Sequence, residues 1–134
     1  MGPETILNNY LQEIADKPFR LGRHDCLTFT NEAWKRMYGY GWADDWLGRY
    51  IAARSPDDLR QEYGFNSFVE AIDSRLQRAD KLPPRGALVM TFGHTGWFTG
   101  KALGLCVGVN AAFLQAGGVV YLSVADVELA WTKP

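Results

Sequence analysis

Two residue types in this chain suit nucleophilic chemistry near neutral pH, cysteine and histidine, and the candidates are Cys26, His24 and His94. Cys26 stands in the run Arg23-His24-Asp25-Cys26-Leu27-Thr28-Phe29, where the pattern predicts a helix starting at or just after the thiol. Asp25 then takes the position of a helix cap, and Cys26 falls in the first turn. The exposed amide N–H groups and positive dipole end of a helix stabilise an anion there, so the placement favours thiolate over thiol. A thiolate so formed is a candidate nucleophile, provided a base is nearby. The alternative role for Cys26 is a small buried apolar side chain, since it falls on a helical stripe with Phe29, Ala33, Trp34 and Met37.

The candidate bases are few. His24 precedes the thiol by two positions, so only a bent backbone would bring its ring to the sulfur; its simpler role is to hold the loop by bonding backbone groups. His94 sits between turn glycines, in Gly93-His94-Thr95-Gly96, where it reads either as an exposed loop histidine or as a base bent towards Cys26. Cys106 lies inside an apolar strand pattern and reads as inert core. Two cysteines are too few for a disulfide framework and lack metal-type spacing, so neither a metal nor a cofactor is implied, and both read as free thiols.

The elements that would position these residues divide into a helical first part and a strand-rich last part. Ile6, Leu7, Tyr10, Leu11 and Ile14 have helical spacing over residues 4–16, with Lys17-Pro18 as the stop. A second helix is predicted from Cys26 to Tyr38, closed by Gly39, with Trp42, Trp46 and Tyr50 packing against it. Ser55-Pro56-Asp57-Asp58 starts a helix ending near Gly64, and another is expected from Asn66 to Arg78 with Phe68, Val69, Ile72 and Leu76 inward. After the break at Leu82-Pro83-Pro84-Arg85-Gly86, strands are predicted at Ala87–Phe92, Leu103–Val109, Ala111–Leu114 and Val119–Ser123. A short helix around Ala125–Leu129 and a strand at Trp131 complete the pattern. Helices first and an antiparallel meander afterwards is an α+β arrangement, in a single domain spanning 1–134.

Composition narrows the function classes. The 134 residues carry a net charge of −1 and no basic run, which argues against electrostatic nucleic-acid binding. No segment approaches the length of a membrane span, and the first residues lack the basic start and apolar stretch of a signal peptide. Five tryptophans point to a dense core or, for Trp42, Trp46, Trp97 and Trp131, a glycan-contacting groove, core packing being the simpler reading.

The order of these motifs resembles the NlpC/P60 group of papain-like cysteine peptidases. There an aspartate precedes the nucleophile at the head of a helix, as Asp25-Cys26 does here, and a Gly-anchored strand follows, matched by Gly86-Ala87-Leu88-Val89. The chain is more closely similar to a family of small phage and prophage proteins related to that group. The shared stretches are Gly22-Arg23-His24-Asp25-Cys26, Gly48-Arg49-Tyr50, Ala102 to Gly108, and Ala130-Trp131. The resemblance implies a papain-like fold, a virion location in a phage tail tip, and tail hub and fibre proteins as partners. It also implies a catalytic histidine at the head of the strand after Gly86. If Ala102-Leu103-Gly104-Leu105-Cys106-Val107-Gly108 is that strand, Ala102 occupies the histidine position and the general base is missing. In a second register, His94-Thr95-Gly96-Trp97-Phe98-Thr99-Gly100 supplies the base but leaves little room after Gly86 for a strand and a turn. The Ala102 register accommodates two strands and a hairpin loop. Asn110 and Gln115 are the polar residues after Gly108 that could orient a base. Two functions follow: a structural tail-tip component with a degraded site, or a peptidoglycan-cleaving cysteine peptidase or amidase acting in genome delivery. A binding module that recognises cell-wall peptide without cutting it is a third.

Overall fold

A computed structural model describes residues 2–20, 23–47, 68–79, 82–92 and 101–134. The predicted Ser55–Gly64 helix, Tyr50 and the Gly48-Arg49-Tyr50 stretch lie outside the described residues.

Helix α1 spans Pro3–Glu13 and begins with proline in its first turn, where the missing N–H costs nothing. It buries Leu7, Tyr10 and Leu11 on one face and ends earlier than the periodicity suggests. Ile14 leaves helical geometry, and the chain tightens into turns closed by Ala15 N–H to Gln12 O and Lys17 N–H to Ile14 O, ahead of Pro18. Helix α2 spans Cys26–Tyr38, with Asp25 as N-cap and Gly39 as C-cap, matching the bounds read from the pattern. Gly39 has φ of 87°, the left-handed geometry that lets its N–H return to Lys35 O. The two helices meet where the Tyr10 and Phe29 rings stack, with centroids 6.2 Å apart, and where Arg36 reaches Glu13 at 2.6 Å.

Helix α3, Phe68–Asp73, is shorter than the Asn66–Arg78 helix expected, because residues 77–78 are taken by a strand. That strand, β1 (Gln77–Arg78), begins a six-stranded sheet completed by β2 (Leu88–Phe92), β3 (Lys101–Cys106), β4 (Asn110–Gln115), β5 (Gly118–Ser123) and β6 (Leu129–Thr132). The sheet order is β1-β6-β2-β3-β4-β5, and every neighbouring pair is antiparallel. The helix expected around Ala125–Leu129 is a single 3₁₀ turn at Val124–Asp126, because residues from Leu129 onward pair with β2.

The main core lies between the helices and one face of the sheet. Trp34, Trp42, Trp46, Phe29, Leu88, Met90, Leu103, Leu105 and Trp131 belong to it. Two polar tethers hold the segment after α2 against the helix. Asn31 donates to Asp44 Oδ1 at 2.8 Å and accepts from Ala43 N–H, while Trp42 Nε1–H donates to Thr30 Oγ1 at 3.2 Å. The opposite face carries a second cluster of Ala87, Val89, Cys106, Ala111, Phe113 and Ala130. Strand alternation separates the two sets: Leu103 and Leu105 face the helices, and Ala102 and Cys106 face away.

Candidate functional site

The segment 23–31 behaves locally as its residue types dictate. The Asp25 carboxylate accepts from Leu27 N–H at 3.1 Å and Thr28 N–H at 2.9 Å, two amides that the helix itself leaves unpaired. Thr28 Oγ1 in return accepts from Asp25 N–H at 2.7 Å, completing a reciprocal capping box. His24 lies just before the cap and places its ring edge-on to Phe29, with centroids 6.4 Å apart and planes at 69°. These are the two positions of a hydrophobic staple, so His24 fixes the angle at which the chain enters α2.

Cys26 therefore occupies the first helical position, as expected, but its environment overturns the expected chemistry. The residue is 6% exposed and packs in the main core with Leu103. Burial pushes the thiol up to about 12, and the neighbouring Asp25 carboxylate pushes the same way. The backbone N–H groups of Leu103, Cys26 and Leu27 favour the thiolate without reversing the shift. Desolvation outweighs the helix terminus because the few amides facing the sulfur replace only part of the water it has lost.

The other candidates do not assemble around the thiol. No hydrogen bond joins the His24 ring to Cys26; the ring is buried against Phe29, and its Nε2 has no hydrogen-bond partner among the described residues. Burial lowers the pKa of His24, the Lys17 charge lowers it further, and Asp25 opposes them. The backbone of His24, rather than its ring, holds the loop, through N–H to Arg20 O at 2.7 Å and C=O to Arg20 N–H at 2.8 Å. His94 and Trp97 lie outside the described residues.

Strands β2 and β3 pair directly, with Thr91 opposite Ala102 and Leu88 opposite Leu105. Yet Ala102 packs with the second cluster, and Leu103 is the β3 residue that meets Cys26 in the main core. The position that the resemblance assigns to the base thus points to the far side of the sheet. Gly104 explains the glycine of that strand: a Cβ there would come within 2.4 Å of Ala112 O and 2.7 Å of the Phe113 ring.

The remaining polar and aromatic candidates fall away from the thiol or into the core. Asn110 and Gln115 are exposed at the two ends of β4. Cys106 is fully buried, its thiol donating to Pro83 O at 3.5 Å and Gly108 O at 3.4 Å, in keeping with an inert core role. Trp42, Trp46 and Trp131 are core residues and line no glycan groove. Among the described residues no group of three or more histidine, cysteine or carboxylate side chains is placed to hold a metal ion. No described helix is long and apolar enough to cross a membrane.

Over residues 3–133, from α1 to β6, the sequence matches the family described as a domain of unknown function, DUF6950. The chain belongs to the DUF6950 family. The match takes in the capped head of α2 and the whole sheet, so the buried Cys26 lies inside the DUF6950 domain. No curated protein matches the chain.

Proposed function

We propose that this DUF6950 domain is a non-hydrolytic structural module of NlpC/P60-type, papain-like descent, working as a component of a phage tail tip. The observation that carries the non-hydrolytic reading is the enclosure of Cys26 with Leu103, which keeps the sulfur protonated at neutral pH. An attacking thiol needs a populated thiolate, a base within hydrogen-bond reach and an open approach for the carbonyl. Ala102 on the far face and His24 stapled to Phe29 leave the first two requirements unmet among the described residues. The papain-like reading is supported by an Asp-Cys head of a helix laid against an antiparallel sheet. The tail-tip placement, with hub and fibre proteins as neighbours in the virion, rests on the sequence resemblance.

Two measurements test the proposal. Purified peptidoglycan incubated with the protein and with Cys26→Ala should release no fragments in either case. Fragments released by the parent and lost in the variant would establish the alternative, a cell-wall cysteine hydrolase. Peptidoglycan that sediments the protein without turnover would favour recognition of cell-wall peptide instead. Peptide mass spectrometry of purified tail particles should contain the chain, and its absence from intact tails would overturn the virion placement.

A further inference from the structure

The described arginines differ in how their charge is met. Arg36, Arg75 and Arg78 are each held by carboxylates: Glu13 and Glu32, Asp45, and Asp73 respectively. No ion pair ties Lys17, Arg20 or Arg23 to a described carboxylate. These three exposed cations border a cavity of about 460 Å³ whose described wall residues are Lys17, Pro18, Arg20, Arg23 and His24, none of them an acid. Backbone bonds fix that wall: Arg20 and His24 exchange N–H···O bonds at 2.8 and 2.7 Å, Arg23 N–H donates to Arg20 O at 3.0 Å, and Lys17 N–H to Ile14 O at 2.9 Å.

His24 is the buried member of that wall, 3% exposed, and its Nε2 bonds to none of the described residues. A neighbouring cavity of about 370 Å³ shares Lys17, Arg23 and His24 and extends to Glu13 and Glu32, whose charges Arg36 already meets.

We propose that Lys17, Arg20, Arg23 and His24 form a binding site for a phosphate group. Two guanidinium forks and an ammonium supply multiple N–H donors to a tetrahedral oxyanion, and a dianion matches several uncompensated cations better than a carboxylate does. The His24 ring lines the site without donating to the phosphate, because its Nε2 is enclosed. The site is separate from Cys26 and independent of whether the thiol reacts.

Calorimetric titration of the full chain with inorganic phosphate and with glycerol 3-phosphate, at constant ionic strength set by sodium chloride, tests the proposal. Saturable binding of either is expected, accompanied by a shift of the His24 ring resonances in NMR spectra. Response to inorganic phosphate alone assigns a free anion; response to glycerol 3-phosphate alone assigns a phosphate carried on an organic group. The double variant Arg20→Gln, Arg23→Gln changes only exposed side chains and should bind at least tenfold more weakly. His24→Phe keeps a ring against Phe29 and in the cavity wall, and should leave binding nearly unchanged while the circular dichroism spectrum stays the same. Absence of saturable binding, equal affinity in the double variant, or an effect reproduced by chloride alone would overturn the assignment.

Discussion

The two faces of the sheet treat their cysteines in different ways, although both thiols are buried. On the helix-covered face, Cys26 lies among large side chains, with Leu103, Leu88, Met90 and Trp131 in the same core. On the other face, Cys106 lies among Ala87, Val89, Ala111 and Ala130, and its thiol donates to two carbonyls. Only Cys26 sits at a helix N-terminus, the location that ordinarily lowers a thiol pKa, and it is nevertheless shifted upward. The comparison teaches that the local dipole does not decide the ionisation of a thiol once a packed sheet has removed its water.

The largest test of that comparison is Leu103→Ala. Removing a fully buried leucine should destabilise the domain by about 2–5 kcal/mol in chemical denaturation. It should also speed alkylation of Cys26 while leaving Cys106 slow. Unchanged labelling of Cys26 would show that Leu103 is not what shields the sulfur. The pH dependence of stability comes next. In the unfolded chain the Cys26 thiol ionises at about 8.5, whereas in the fold it stays protonated until about 12. Above pH 8.5 the folded state therefore binds more protons than the unfolded one, and stability falls as pH rises. Between about pH 8.5 and 10 the slope should approach about 1.4 kcal/mol per pH unit and be lost in Cys26→Ala, the raised Tyr10 and Tyr38 hydroxyls adding theirs only above that range. The same slope in that variant would locate the titration elsewhere.

Asp25→Ala should cost about 1 kcal/mol of unfolding free energy through loss of the cap. Because Asp25 also raises the Cys26 pKa, this variant should lower the pH at which the thiol reacts, though burial keeps it above that of a free thiol. Ala102→His is the smallest expected effect on the thiol. A histidine there stands on the face of Val89 and Cys106, so the alkylation rate of Cys26 and its pH profile should not change. A lowered alkylation pKa would mean that the new ring reaches across to Cys26.

Much of the frame was legible because its causes are local. Asp25 and Thr28 sit within one turn of Cys26, and Gly39 closes the helix by its own left-handed geometry, so the bounds of α2 follow from neighbours in sequence. The strand positions from Leu88 to Ser123 followed from apolar runs broken by glycine. The reading failed where distant segments compete for the same residues. The helix expected through Arg78 stops at Asp73 because Gln77 and Arg78 pair with Thr132 and Trp131, and Asp73 is engaged by Arg78 and Trp131 Nε1. The charge pattern gave no basic run, yet Lys17, Arg20 and Arg23, only a few positions apart, border one cavity.

Residue type and order alone placed a cysteine at the capped head of a helix, a meander of strands after it, and alanine at position 102. Tertiary structure decided what those placements mean. It laid β3 over the thiol, turned Leu103 rather than Ala102 towards it, and enclosed the His24 ring against Phe29. The physical reason is range. Caps and turns depend on residues a few positions apart, whereas the water around a sulfur atom is removed by segments that only the folded chain brings together.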